Sequence, residues 1–158
     1  EPDIYKIRGL GIVRGDTSQF QKDIEEYIMK SLLDDVKKID MVKKVSEMIS
    51  NIEKYDLEYI GFPRGVKKDK VYKVVTQSHR ALDYTNKYLG GVDYEDSFLI
   101  LYIKRTPSNL PDTDVLAIPL DKSKLEGFEI DYDTMVKKSI ERVKPFITVS
   151  LNDFLEEN

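Results

Sequence analysis

The chain has no cysteine and one histidine, His79. Without thiols there is no disulfide framework, no thiolate zinc site and no cysteine nucleophile. A single imidazole cannot build a histidine-rich metal cage. No apolar run approaches the ~18 residues that span a bilayer, and Glu1-Pro2-Asp3 lacks the basic region and apolar stretch of a signal peptide. The expected setting is therefore intracellular and reducing, the cytoplasm, with no membrane partner. The chain opens without Met, directly into an alternating pattern, so a piece of a longer protein is expected.

Glycine-rich phosphate motifs are missing too. Gly9-Leu10-Gly11 lacks a third glycine, and the next helical pattern starts several residues later. No serine sits in a nucleophile-elbow pattern, and His79 lies beside Arg80 in a basic stretch, so Ser-His-Asp chemistry has no support.

What is present is 158 residues, within the roughly 100 to 200 that make one domain. With 41% hydrophobic and 34% charged residues it has ordinary globular proportions. Ile4 to Val13 reads as a strand with a bend at its glycines. Asp16-Thr17-Ser18 is an N-cap signal, and Phe20, Ile24, Tyr27, Ile28 and Leu32 follow at helical spacing, which predicts a helix from about Ser18 to Val36. A second face runs through Met41, Val45, Met48, Ile49 and Ile52, with Asp40 able to cap it. Two helices or one bent helix satisfy the pattern equally.

Leu57 to Ile60 is expected as a short strand, and Phe62-Pro63-Arg64-Gly65 as a turn. Ser78 to Leu89 is expected as a helix closed by Gly90-Gly91. Phe98 to Ile103 and Val115 to Ile118 read as strands of a hairpin, joined by the polar connector Pro107 to Asp114. A last helix from about Tyr132 to Val143 stops before Pro145, leaving a tail with Leu151, Phe154 and Leu155. Phe20, Tyr27, Tyr55, Phe98 and Tyr5 are expected to pack rather than to stack on bases.

Two carboxylates one residue apart, Asp112 and Asp114, can hold Mg²⁺ where a strand turn aims both at one point. They follow Asn109-Leu110-Pro111 in a polar loop, and turn chemistry explains them better. Charge distribution says more. Between Gly61 and Gly90, Arg64, Lys67, Lys68, Lys70, Lys73, Arg80 and Lys87 face only Asp69 and Asp83, a local excess of five positive charges; the rest of the chain carries minus nine to reach the net −4. A polyanion-binding face on an acidic domain has this distribution, and so does a solvated lysine-rich loop.

The segment Tyr5-Lys6-Ile7-Arg8-Gly9-Leu10-Gly11-Ile12-Val13-Arg14-Gly15-Asp16-Thr17 resembles the stretch leading from palm to thumb in family B DNA polymerases. Ile60-Gly61-Phe62-Pro63-Arg64-Gly65-Val66, Ser78-His79-Arg80-Ala81-Leu82-Asp83-Tyr84-Thr85-Asn86 and the strand Phe98 to Lys104 look like the phage version of the thumb. Ser150-Leu151-Asn152-Asp153-Phe154-Leu155 is similar to the clamp-docking tail of tailed-phage replicative polymerases. The chain departs from the pattern at Gly11, where the family often has glutamate, at His79-Arg80 in place of a His-x-Arg sequence, and at Glu156-Glu157-Asn158 in place of a terminal aromatic.

The resemblance implies an α+β, mainly helical thumb with a small antiparallel β element. It implies a palm-to-thumb connecting strand over 1–16, the thumb over 17–146 and a tail over 147–158. Such a domain grips primer-template DNA behind the active site and has no catalytic residues of its own. It needs no cofactor, the Mg²⁺ belonging to the palm of the parent chain. The implied partners are the duplex, the remaining polymerase domains and, through Leu151, Phe154 and Leu155, a sliding clamp. A thumb that holds any sequence and lets it slide needs phosphate contacts rather than base-edge readout. Lys6, Arg14, Arg64, Lys67, Lys68, His79, Arg80 and Lys87 are the candidate DNA-binding residues. The competing expectation is a free-standing adaptor that recruits a partner through its tail. A single-strand binder would carry exposed aromatics between basic strand residues, whereas here the basic cluster falls mainly on a loop and a helix.

Overall fold

The computed structural model describes residues 15–66, 76–90, 97–118, 122–149, 153 and 155. The expected strand over Ile4 to Val13 lies outside them. The fold is α+β, mainly helical, with a small four-stranded antiparallel sheet. The chain divides into two compact units, one comprising the residues up to Tyr55 together with those from Val136 onward, the other Asp56–Met135.

In the first unit, the Ser18 hydroxyl accepts the Gln21 amide at 3.0 Å and starts α1 (Gln19–Leu33). That bond satisfies one of the amides a helix N-terminus leaves open. Phe20, Ile24 and Ile28, four residues apart, are fully buried. Asp35, at φ 54°, separates α1 from α2 (Lys38–Ser50), so the pattern resolves into two helices. Lys37 takes the N-cap position; Asp40 sits inside the first turn, where its charge opposes the positive end of the helix dipole. Met41 and Val45 bury one stripe of α2.

The unit also holds a buried charge. Glu25 on α1 accepts from Gln21 Nε2 at 2.8 Å and from Arg142 Nη2 at 2.6 Å, pinning α1 to a segment 117 residues later. Arg142 follows α5 (Tyr132–Ile140), which ends three residues earlier than the Tyr132 to Val143 expectation. After a turn the chain forms α6 (Lys144–Ile147), with Pro145 in its first turn. Proline is tolerated there because a first-turn amide has no intrahelical acceptor to lose. Further on, Asp153 reaches Lys38 on α2 at 3.1 Å.

The second unit opens on α3 (Leu57–Ile60), a single helical turn where a strand was expected. Gly61 follows because a Cβ there would stand 2.9 Å from Leu99 Cβ and 3.1 Å from the Leu57 carbonyl oxygen. Phe62–Arg64 is β1, not the expected turn: it pairs antiparallel with β2 (Phe98–Arg105), Phe62 opposite Ile100 and Arg64 opposite Phe98. Proline is acceptable in that edge strand, whose outer amides need no ladder partner.

β3 (Val115–Ile118) completes the expected hairpin with β2, in the register Leu99 to Ile118 and Tyr102 to Val115. β4 (Glu129–Ile130) pairs with the far end of β2. Ile103 faces Ile130 and Arg105 faces Glu129, so Lys104 is the extra residue of a bulge. Helix α4 (Gln77–Tyr88) starts on the Thr76 hydroxyl and is followed by Leu89 and Gly90, the latter at φ 111°. Its buried Thr85 hydroxyl accepts the Ala117 amide of β3 at 2.9 Å, so a helix side chain closes part of the β3 edge. Ile60, Ile100, Leu101, Val115 and Leu116 form the fully buried core of this unit. Among the described residues, no helix is long and apolar enough to cross a membrane.

Candidate nucleic-acid interface

Helix α4 presents Arg80, Asp83, Tyr84, Lys87 and Tyr88 at i, i+3, i+4, i+7 and i+8, a single helical face. That face, the end of β2 (Ile103 to Arg105) and the loop residues Thr106 and Asp112 to Asp114 line an open groove of about 780 Å³, wholly within the second unit. Tyr84, Tyr88 and Ile103 supply its apolar surface, with the two tyrosine rings 4.8 Å apart. Its charged lining is Arg80, Lys87, Lys104 and Arg105 against Asp83, Asp112 and Asp114.

Hydrogen bonds between uncharged groups hold the loop as well. Thr106 Oγ1 accepts the Thr113 amide at 3.1 Å, and Thr113 Oγ1 accepts the Val115 amide at 3.3 Å. The Tyr84 hydroxyl donates to the Pro111 carbonyl at 2.6 Å. Burial pushes the Tyr84 phenol above its ordinary pKa of 10.0, and Tyr88 and the Asp112 carboxylate push the same way. A raised folded-state pKa means the unfolded phenol ionises first. The stability this group contributes is therefore whole below pH 10.0 and is lost as pH climbs through the folded value. Urea midpoints taken from about pH 9 to about pH 11 should fall less steeply for Tyr84→Phe than for the unmodified chain. Equal slopes would show that Tyr84 contributes nothing to the alkaline transition.

Arg80 is engaged by a carboxylate, its Nη1 donating to Asp114 Oδ1 at 2.9 Å and its Nη2 to Oδ2 at 3.4 Å. Lys104 Nζ and Arg105 Nε each stand 3.6 Å from a different oxygen of Glu129. All these side chains are exposed, and such pairs contribute only about 0 to 1 kcal/mol. Asp114 thus serves Arg80, and among the described residues no cluster of three or more potential metal ligands occurs.

Of the eight candidate DNA-binding residues, the groove gathers Arg80 and Lys87. Arg64, on β1, bonds the Pro63 carbonyl through Nη1 at 2.7 Å and lies 5.8 Å from the Phe62 ring centroid. His79 Nδ1 is 2.7 Å from the Thr76 hydroxyl in the first turn of α4. Neither lines the groove. Lys6, Arg14, Lys67 and Lys68 lie outside the described residues, as do Leu151 and Phe154 of the tail. Leu155 is 64% exposed. Lys104 and Arg105 join the groove without having been expected there; the sequence signal was a basic pair closing an apolar strand. Phe20 and Phe98 are buried and Tyr27 and Tyr55 half-buried, in keeping with packing roles, while Tyr5 lies outside the described residues.

No model of a known protein family matches this chain, and no curated protein matches it as a relative.

Proposed function

We propose that this chain is the thumb of a phage-like family B DNA polymerase and that it grips duplex DNA through the phosphate backbone, without reading sequence and without catalysing a reaction. The observation that carries this reading is the gathering of Arg80 and Lys87 with Lys104 and Arg105, from segments well separated in sequence, along one open groove. Long basic side chains on an open surface suit phosphates, which repeat along any duplex, and contacts of that kind position a protein without specifying a site. The ordered motifs of the sequence, from Tyr5-Lys6 to the tail, support the same assignment.

Anisotropy titration with a primer-template duplex tests it. The chain should bind with a dissociation constant of about 10⁻⁴ to 10⁻⁶ M at moderate salt, with no preference among sequences. Lys87→Ala should flatten the plot of log affinity against log salt by about 0.9, and Arg105→Ala, whose guanidinium stands beside Glu129, by a smaller amount. Lys43→Ala, on the exposed side of α2 in the other unit, should leave that slope alone. Binding that ignores salt, or slopes that respond equally to all three substitutions, would remove the groove from the reading.

A further inference from the structure

The carboxylate of Asp114 does more than turn chemistry asks of a loop aspartate. Asp114 is held in the backbone ladder, its carbonyl accepting the Ile103 amide at 2.8 Å. The loop before it is fixed by the two threonines and by Tyr84, as described above. Its carboxylate, by contrast, turns to Arg80 and meets two donors of the guanidinium with two oxygens. Two non-bridging phosphate oxygens would engage the same fork in the same way. Both side chains are about half exposed, at 48% and 58%, so water screens their attraction and an incoming anion can reach the guanidinium.

The neighbouring cations are arranged alike. Glu129 stands at 3.6 Å from both Lys104 and Arg105, beyond the length of a good charge-assisted hydrogen bond. With Asp83 and Asp112 also present, the resting groove and its rim set four cations against four carboxylates. It becomes cationic only where a carboxylate moves aside.

We infer that the fork of Arg80 is a seat for a phosphodiester oxyanion, and that the Asp114 carboxylate is its resting occupant, displaced when nucleic acid enters the groove. This rests on the function proposed above and adds a brake to it. A phosphate seated at Arg80 must evict the Asp114 carboxylate, and the freed carboxylate takes back a counter-cation. Affinity and salt slope are both lowered, as suits a domain that must hold and release a sliding duplex.

The test compares Asp114→Asn, Arg80→Ala and the double variant by duplex anisotropy at several salt concentrations. Inorganic pyrophosphate is titrated in parallel while the Arg80 Nε resonance is followed by NMR. Asp114→Asn should bind duplex about two- to fivefold tighter at moderate salt, with a slope steeper by up to about 0.9. The gain should vanish when Arg80 is also alanine, and the thermal midpoint of Asp114→Asn should stay close to that of the unmodified chain. Weaker or unchanged binding by Asp114→Asn would mean that the carboxylate positions Arg80 rather than occupying its seat. A gain that survives without Arg80 would mean that Asp114 acts as diffuse charge, and either result overturns the inference. Should the unmodified chain bind no duplex while pyrophosphate still shifts Arg80, and shifts it at lower concentration in Asp114→Asn, the DNA reading fails and the anion seat stands. Silence toward both anions removes the seat.

Discussion

Arg142→Ala is expected to destabilise its unit by about 3 kcal/mol, near the lower end of what breaking a buried pair costs. The Glu25 side chain is 4% exposed, and Arg142 supplies its charged partner at 2.6 Å. Removing the guanidinium leaves a carboxylate in the interior with only the Gln21 amide to hold it. The lower end of the range applies because Arg142 is itself 22% exposed, so water can follow into the vacated end. Urea denaturation followed by circular dichroism would give the change directly. The joint replacement Glu25→Leu with Arg142→Met should recover part of the loss, since an apolar pair of similar volume has no charge to desolvate while the buried Gln21 amide loses its acceptor. A cost below about 1 kcal/mol for Arg142→Ala would place the pair among ordinary surface contacts.

Thr85→Val should cost about 1 to 3 kcal/mol although it changes the side-chain shape little. Thr85 and Ala117 are both fully buried, and the Ala117 amide donates to the threonine hydroxyl at 2.9 Å. Valine would fill the same volume but leave that amide without an acceptor where water cannot substitute. Thr85→Ser keeps the oxygen and loses a methyl group, so it should retain more stability than valine. Hydrogen exchange adds a local reading, because the Ala117 amide should exchange faster in Thr85→Val. If valine proves as stable as threonine, the β3 edge is closed by packing alone.

The elements that were legible in the sequence are those whose period extends over several turns or residues. Phe20, Ile24 and Ile28 announce α1, because burying one face of a helix repeats the same demand at fixed spacing, and the unbroken apolar run from Phe98 to Ile103 announces a strand buried on both faces. The elements that misled are too short to have a period. Leu57 to Ile60 is one helical turn, and four residues with three apolar side chains fit a strand as well. Phe62-Pro63-Arg64 has the composition of a turn and becomes a strand only because β2 lies beside it, a partner more than thirty residues away. For the site the limit was the same. Arg80 and Lys87 were visible as local charge on a helical pattern. The engagement of Arg80 by Asp114 spans 34 residues and was concealed by an aspartate whose presence in a loop needs no special cause.

The bulge at Lys104 shifts the phase of β2. Along a regular strand, neighbouring side chains leave on opposite faces, and Lys104 and Arg105 would point apart. With one residue too many against β4, both stand at equal distance from the same Glu129 and both line the same groove. Upstream of the bulge, Ile100 to Ile103 are buried on both faces of the strand; from Lys104 onward the side chains are exposed. A helix gathers like charges by spacing them three or four residues apart, whereas this strand does it with adjacent residues by skipping one beat of its ladder. Two cations are thereby brought to one spot at the cost of a single unpaired position.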